Sequence, residues 1–142
     1  MPDLIQPLPG RNYMLSVMRI VVGLVYLQHG LQKMIGFPPT TAAHPGMFTL
    51  LWFAGMIETI GGTLLVLGLL TRPAAFIVAG ELAVIYFYAH FPRSFWPAAN
   101  GGNLAIAYCF TFLYIFFAGP GPWSLDRLIF GRARTGAVPT TG

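Results

Sequence analysis

Both glutamates of this chain, Glu58 and Glu81, lie in the middle of long apolar stretches, and no other feature limits the possible folds as strongly. Nearly every residue from Tyr13 to Ala118 belongs to such a stretch, and Arg19 and Lys33 share that setting. An ionisable side chain at the centre of a bilayer-spanning helix costs about 2.5–3.5 kcal/mol on insertion scales. A chain that carries several must pair them, hydrate them or use them. Of the 142 residues, 56% are hydrophobic and only 8% charged, too few charges for the surface of a soluble domain. The fold class expected is therefore all-α, an integral membrane four-helix bundle with a polar interior. The net charge of +4 does not point to nucleic acid. Arg127, Arg132 and Arg134 fall together near the end, where anionic lipid headgroups are the simpler partner.

Four apolar stretches are legible: Met14–Met34, Phe48–Leu70, Pro73–Phe91 and Asn103–Ala118. A span needs about 20 residues to cross the hydrocarbon. The first three qualify, and the fourth is short unless it begins near Ala99. The expected organisation is a cytoplasmic lead over 1–13, four transmembrane helices over 14–118, and an interfacial segment with a flexible tail over 119–142. Gly and Pro mark the loops at 36–46, 92–102 and 119–122. Thr71 is placed to cap the third helix, with Pro73 in its first turn. Ser124 is placed to cap a short amphipathic turn, with Asp126 near that turn's positive end. Four spans put both termini on one side with Arg11, Arg72, Arg127, Arg132 and Arg134, against Lys33 and Arg93 on the other. The excess of basic residues makes that side the cytoplasm.

In the first stretch Arg19, Gly23, Tyr26, Gly30 and Lys33 follow one another at steps of four, three, four and three, one stripe of a helix. The glycines invite another helix to approach closely. The plain reading of the two cations is that they snorkel to opposite interfaces. His29 stands at the edge of the stripe, and Gln28 points nearly opposite, toward a partner. Glu58 is surrounded by Ala54, Gly55, Gly61 and Gly62, which implies helix packing rather than lipid. Its depth allows pairing with Lys33 or His29, as a register-fixing salt bridge or as a working site. Glu81 is expected to accept a hydrogen bond from Tyr26 or Tyr88, or to hold its own proton, as filler or as a relay. His90, beside Phe91, Phe95 and Trp96, reads as an interfacial residue or as part of a quinone head-group site. Helical phase turns His90 away from the Glu81 face, which argues against haem held by His29 and His90. His44 lies in a loop without an evident partner. Three scattered histidines and the lone Cys109 lack metal-ligand spacing. No nucleophile elbow, phosphate loop or paired cysteine motif is present.

Several of these pieces occur in an order that resembles DoxX-type membrane proteins. They are Arg19 with Gly23, Gly30 with Lys33, and Glu58-x-x-Gly61-Gly62-x-x-Leu65-x-x-Gly68-Leu69-x-Thr71-Arg72. His90, Asn100-Gly101-Gly102 and Gly119-Pro120-Gly121-Pro122-Trp123-Ser124-Leu125-Asp126 continue the series. The resemblance implies a small bacterial or archaeal protein of the cytoplasmic (inner) membrane, crossing it several times. Some members resemble the large subunit of thiosulfate:quinone oxidoreductase, and others are linked to oxidoreductase assemblies that handle thiol or oxidative stress. Relatives often carry a glutamate at the start of the fourth helix, where this chain has Asn103. The expected function is a subunit or accessory of a quinone-linked membrane oxidoreductase. Glu58, Lys33 and His29 are its expected catalytic groups, and Arg19, Tyr26, Glu81, His90 and Trp96 its ligand-binding groups. Quinone is the expected cofactor, with no haem or metal. The expected partners are the lipid bilayer and either other subunits or further copies of the chain. The alternatives are a non-catalytic assembly subunit and a small proton or solute conduit.

Overall fold

Apolar length and Gly/Pro punctuation convert directly into helices in the computed structural model, which describes residues 7–131. The helices are α1 (Arg11–Ile35), α2 (Leu50–Leu67), α3 (Thr71–Ile85), the short α4 (Pro97–Asn100), α5 (Asn103–Ala118) and α6 (Leu125–Phe130). A π-helical turn, Tyr86–His90, and a 3₁₀ turn, Phe91–Arg93, extend α3. No strand occurs among the described residues. The lead before Pro7 and the tail beyond Gly131, with Arg132 and Arg134, lie outside the described residues.

Three helices, Arg11–Ile35, Leu50–Leu67 and Thr71–Arg93, are long and apolar enough to cross a membrane. The fourth, α5, has 16 residues. At 1.5 Å per residue it reaches about 24 Å, short of the roughly 30 Å hydrocarbon thickness. It does not begin near Ala99: Gly101, at φ 75°, separates it from α4.

α1 packs mainly on α2, and α3 mainly on α5. α2 against α3 joins the two pairs, while α1 and α5 barely touch. Small residues set the first pairing. A Cβ added at Gly30 would meet the Thr59 backbone nitrogen at 2.5 Å, and one at Gly62 would meet the Leu27 Cα at 2.8 Å. Backbones can approach that closely only where side chains are missing, and in lipid such contact replaces the hydrophobic drive that water supplies. The core contains Tyr26, Leu65, Val78, Phe112 and Ile115, all essentially inaccessible. Val21, Ile60, Phe76, Ile77, Val84, Phe110 and Phe117 are exposed over the outer faces. So large an apolar surface suits acyl chains, not water. The protein is a helical membrane protein in contact with the bilayer.

The start of α3 departs from the expected capping. Thr71 is the first helical residue, and its buried Oγ1 has no partner. Leu70 precedes it in the left-handed region at φ 48°. Asp126 supplies the cap instead, accepting from the Leu70 nitrogen at 2.7 Å and the Thr71 nitrogen at 2.8 Å. Asp126 does occupy the first turn of α6, but its carboxylate reaches across to another helix's free amides. Ser124 caps α6 as expected, accepting from the Arg127 nitrogen at 3.3 Å. Leu128, Ile129 and Phe130 of α6 are exposed beside Arg127, the pattern of an interfacial segment.

The close approach gives a direct test. Gly30→Ala forces a methyl into the Thr59 backbone and lowers stability by about 1–3 kcal/mol. Gly80 has nothing within 4 Å of an added Cβ, so Gly80→Ala is neutral or stabilising. Midpoints of unfolding by SDS in mixed micelles separate the two variants.

Candidate functional site

α1 and α2 run antiparallel, which brings the last turn of α1 level with the middle of α2. The Lys33 Nζ donates to Glu58 Oε1 at 2.6 Å. The pair forms because small residues clear the path: a Cβ at Gly55 would lie 3.0 Å from the Lys33 Cβ. Glu58 is buried, while the Lys33 side chain is 27% exposed. Glu58 Oε2 is buried without a partner. Lys33 of the first span and Glu58 of the second therefore converge.

The pair lies on a cleft of about 200 Å³. Tyr26, His29 and Lys33 line it from α1, Leu82 and Ile85 from α3, and Leu104, Ala105 and Tyr108 from α5. It follows the seam where α1 and α5 make few contacts. Tyr26 is fully buried at the back, with its ring edge-on to Phe112 at 5.1 Å and to Tyr108 at 6.5 Å. Its hydroxyl donates to Glu81 Oε2 at 2.7 Å, and Glu81 Oε1 has no partner. Tyr88, the other donor considered for Glu81, is 62% exposed.

His90, one of the expected ligand-binding residues, also lines the cleft, beside Tyr26 and Glu58, whereas Glu81 does not. His90 ends the π turn over Tyr86–His90, whose wider turn changes the phase of the residues in it relative to an α-helical count. The His90 Nδ1 lies 3.1 Å from the Asn100 carbonyl oxygen. A carbonyl only accepts, so Nδ1 carries the hydrogen and Nε2 stays uncommitted. The ring stacks on Tyr86 at 6.2 Å.

Three expected ligand-binding residues are not in the cleft. Trp96 is 68% exposed on the loop before α4. Glu81 lies behind Tyr26 and lines a different groove, between α2 and α3. Arg19 neither snorkels nor reaches Glu58. It is fully buried at the opposite end of the bundle, ringed by carbonyl oxygens. Its Nε donates to the Pro120 oxygen at 2.8 Å, and one Nη to the Val66 oxygen at 2.9 Å. Further bonds run to the carbonyls of Leu65 and Trp123. The last carbonyls of α2 and those of the turn after α5 gather there, and a planar guanidinium suits such a ring. Arg19 thus pins the segment after α5 beneath the bundle. His44 is also outside the cleft, with Nδ1 3.2 Å from the Lys33 carbonyl oxygen.

The α5 wall escaped the sequence reading. Tyr108, Ala105 and Leu104 sit in a helix that is apolar all round, so no stripe marks the face that points inward. The Asn100-Gly101-Gly102 run was a usable signal. The Asn100 side chain donates to the Ser94 oxygen at 2.8 Å and accepts from the Gly102 nitrogen at 2.7 Å, which shapes the cleft's outer rim. Among the described residues no group of three or more His, Cys, Asp or Glu is placed to hold a metal ion.

The DoxX family matches residues 14–91, which include Arg19, Lys33, Glu58, Glu81 and His90. The chain belongs to the DoxX family. This DoxX protein is 42% identical over 125 residues to an uncharacterized protein of Haemophilus influenzae, covering 84% of the chain and 93% of the relative. It is 33% identical to an uncharacterized membrane protein of Mycobacterium tuberculosis, over 81% of the chain and 80% of that relative. It is 30% identical to the inner membrane protein YqjF of Escherichia coli, over 80% of the chain and 89% of that protein. No solved structure matches. Membrane-spanning helices, together with bacterial relatives named as membrane proteins, give the DoxX protein a bacterial membrane location.

Arg19 and Lys33 of the DoxX protein should respond differently to removal. Arg19→Met strands the carbonyls of Val66, Pro120 and Trp123 at about 1–3 kcal/mol each and prevents folding, whereas the Leu65 carbonyl keeps its bond from the Gly68 nitrogen. The double variant Lys33→Met/Glu58→Leu removes both charges together and keeps the fold. Monodispersity in mild detergent and helical circular dichroism distinguish these outcomes.

Proposed function

We propose that this DoxX protein is a subunit or accessory of a quinone-linked membrane oxidoreductase, and that the cleft at Lys33 and Glu58 binds the ring head group. One observation carries the reading: a lysine–glutamate pair faces a cleft inside the membrane-spanning region while one buried glutamate oxygen stays unused. A purely structural pair tends to use all its polar atoms, because each orphan costs about 1–3 kcal/mol. The reduced ring, a quinol, fits the residues present, with Lys33 donating to one hydroxyl oxygen and Glu58 Oε2 accepting from the other hydroxyl. His90 and His29 bracket the cleft and can hold or pass a proton. A bound quinone supplies the two-electron chemistry, with electrons delivered by a donor or a partner subunit. The chain's own part is to bind the ring, orient it and exchange protons through Glu58.

Orientation belongs to the same proposal. Arg11, Arg72 and Arg127 gather at the end that holds the Arg19 clamp, and Lys33 and Arg93 mark the other. The excess of basic residues assigns the clamp end, and both termini, to the cytoplasm of the inner membrane. The cleft then opens in the outer half. A second reading, a non-catalytic subunit docked in a larger complex or a homo-oligomer, is supported by Gln28, a polar side chain exposed among apolar faces of α1.

Purification in mild detergent followed by mass spectrometry of extracted quinones tests the proposal. Co-purified quinone is expected at near-stoichiometric amounts. Glu58→Gln should lower its retention by about tenfold, the loss of one charge-assisted hydrogen bond, and Glu81→Gln by much less. Equal, negligible effects of the two substitutions would remove the cleft from consideration.

A further inference from the structure

A second opening lies on the lipid side of α2 and α3. Its inner part, about 230 Å³, is lined by apolar residues alone, among them Met56, Ile60, Leu64 and Ala74. Phe53, Ile57 and Ile77 line both this part and an outer part of about 260 Å³, so the two are continuous. The outer part contains a single ionisable group, Glu81. Glu81 is 8% exposed, and its Oε1 has no partner.

That combination selects a ligand. From Ala74 to Ile85 the groove follows α3 for about 17 Å. Glu81 lies about 15 Å along α3 from Thr71, near the middle of a hydrocarbon layer roughly 30 Å thick. Phospholipid headgroups do not reach that depth, so an acyl chain could fill the groove but would leave Oε1 unsatisfied. Water is excluded by the apolar walls. A hydroxyl both donates and accepts, so it satisfies Oε1 whether or not Glu81 carries a proton. We infer that the α2–α3 groove is a second binding site, for an uncharged, long apolar molecule ending in one hydroxyl, with the hydroxyl on Glu81 and the chain along Phe53, Ile57 and Ile77. This site does not depend on the role proposed for the Lys33–Glu58 cleft.

The test uses the full chain in nanodiscs of phosphatidylethanolamine and phosphatidylglycerol. The probe is a farnesylated phenol with a diazirine in its tail, compared with its methyl ether, which lacks the hydroxyl hydrogen. After photolysis, labelled residues are mapped by mass spectrometry. The phenol is expected to label α2 between Phe53 and Leu64 and α3 near Ile77. The methyl ether should label them about tenfold less, as loss of one buried hydrogen bond requires. Ile77→Trp fills the groove from a position that is 56% exposed, so folding is retained, and it should abolish labelling there. Equal labelling by phenol and ether, labelling unchanged by Ile77→Trp, or labelling spread evenly onto Phe110 and Phe117 would each overturn the inference. The ether comparison needs no altered protein, so the result does not hinge on a variant's stability.

Discussion

The close approach of α1 and α2 is the constraint on which the other features rest. Gly23, Gly30, Gly55 and Gly62 strip side chains from the contact, so backbone lies against backbone. Lipid is as apolar as leucine, so packing at this distance, rather than exclusion of water, must hold the helices together. The same clearance lets the Lys33 stem pass over Gly55 and deliver its ammonium to Glu58 inside the bundle. If these glycines were larger, Glu58 would sit in hydrocarbon without its cation, a state several kilocalories per mole worse.

The buried polar groups fall into two kinds. Arg19 spends its donors on carbonyls of Leu65, Val66, Pro120 and Trp123, an arrangement that closes on itself. Asp126, close by, likewise uses both carboxylate oxygens on the start of α3. That end of the protein is a knot that holds α2, α3 and the segment after α5 together. At the other end, Glu58 and Glu81 each use one oxygen and leave the other bare. Satisfied networks rigidify a core, whereas orphaned acceptors raise its energy. Unspent hydrogen-bonding capacity thus distinguishes Glu58 and Glu81 from Arg19 and Asp126, although the Thr71 hydroxyl at the clamp end shares it.

What the sequence disclosed follows the same division. Apolar length and Gly/Pro punctuation placed the helices to within a few residues. The period of the Arg19–Lys33 stripe identified the buried face of α1, of which Arg19, Gly23, Tyr26 and Gly30 are indeed the interior. The small residues around Glu58 revealed that it faces a helix. The errors have physical causes. The partners of Arg19 are backbone carbonyls, which carry no residue identity and leave no trace in a sequence. Asp126 caps a helix more than fifty positions away, a contact that local capping rules do not see. Leu104, Ala105 and Tyr108 were missed because a uniformly apolar helix gives no sign of which face turns inward. Trp96 was drawn to the site by proximity in sequence to His90, but the loop carries it outward.

The pairing of helices explains why there are two openings rather than one lumen. α1 with α2 and α3 with α5 form tight pairs, and four round helices arranged as two pairs leave a seam on either side. One seam becomes the cleft at Lys33 and Glu58, the other the groove that ends at Glu81. Tyr26 fills the space between them, closed in by Phe112 and Tyr108. Among the described residues, the Tyr26 hydroxyl on Glu81, a single O–H···O bond of 2.7 Å, joins the ring at the back of the cleft to the carboxyl that lines the groove.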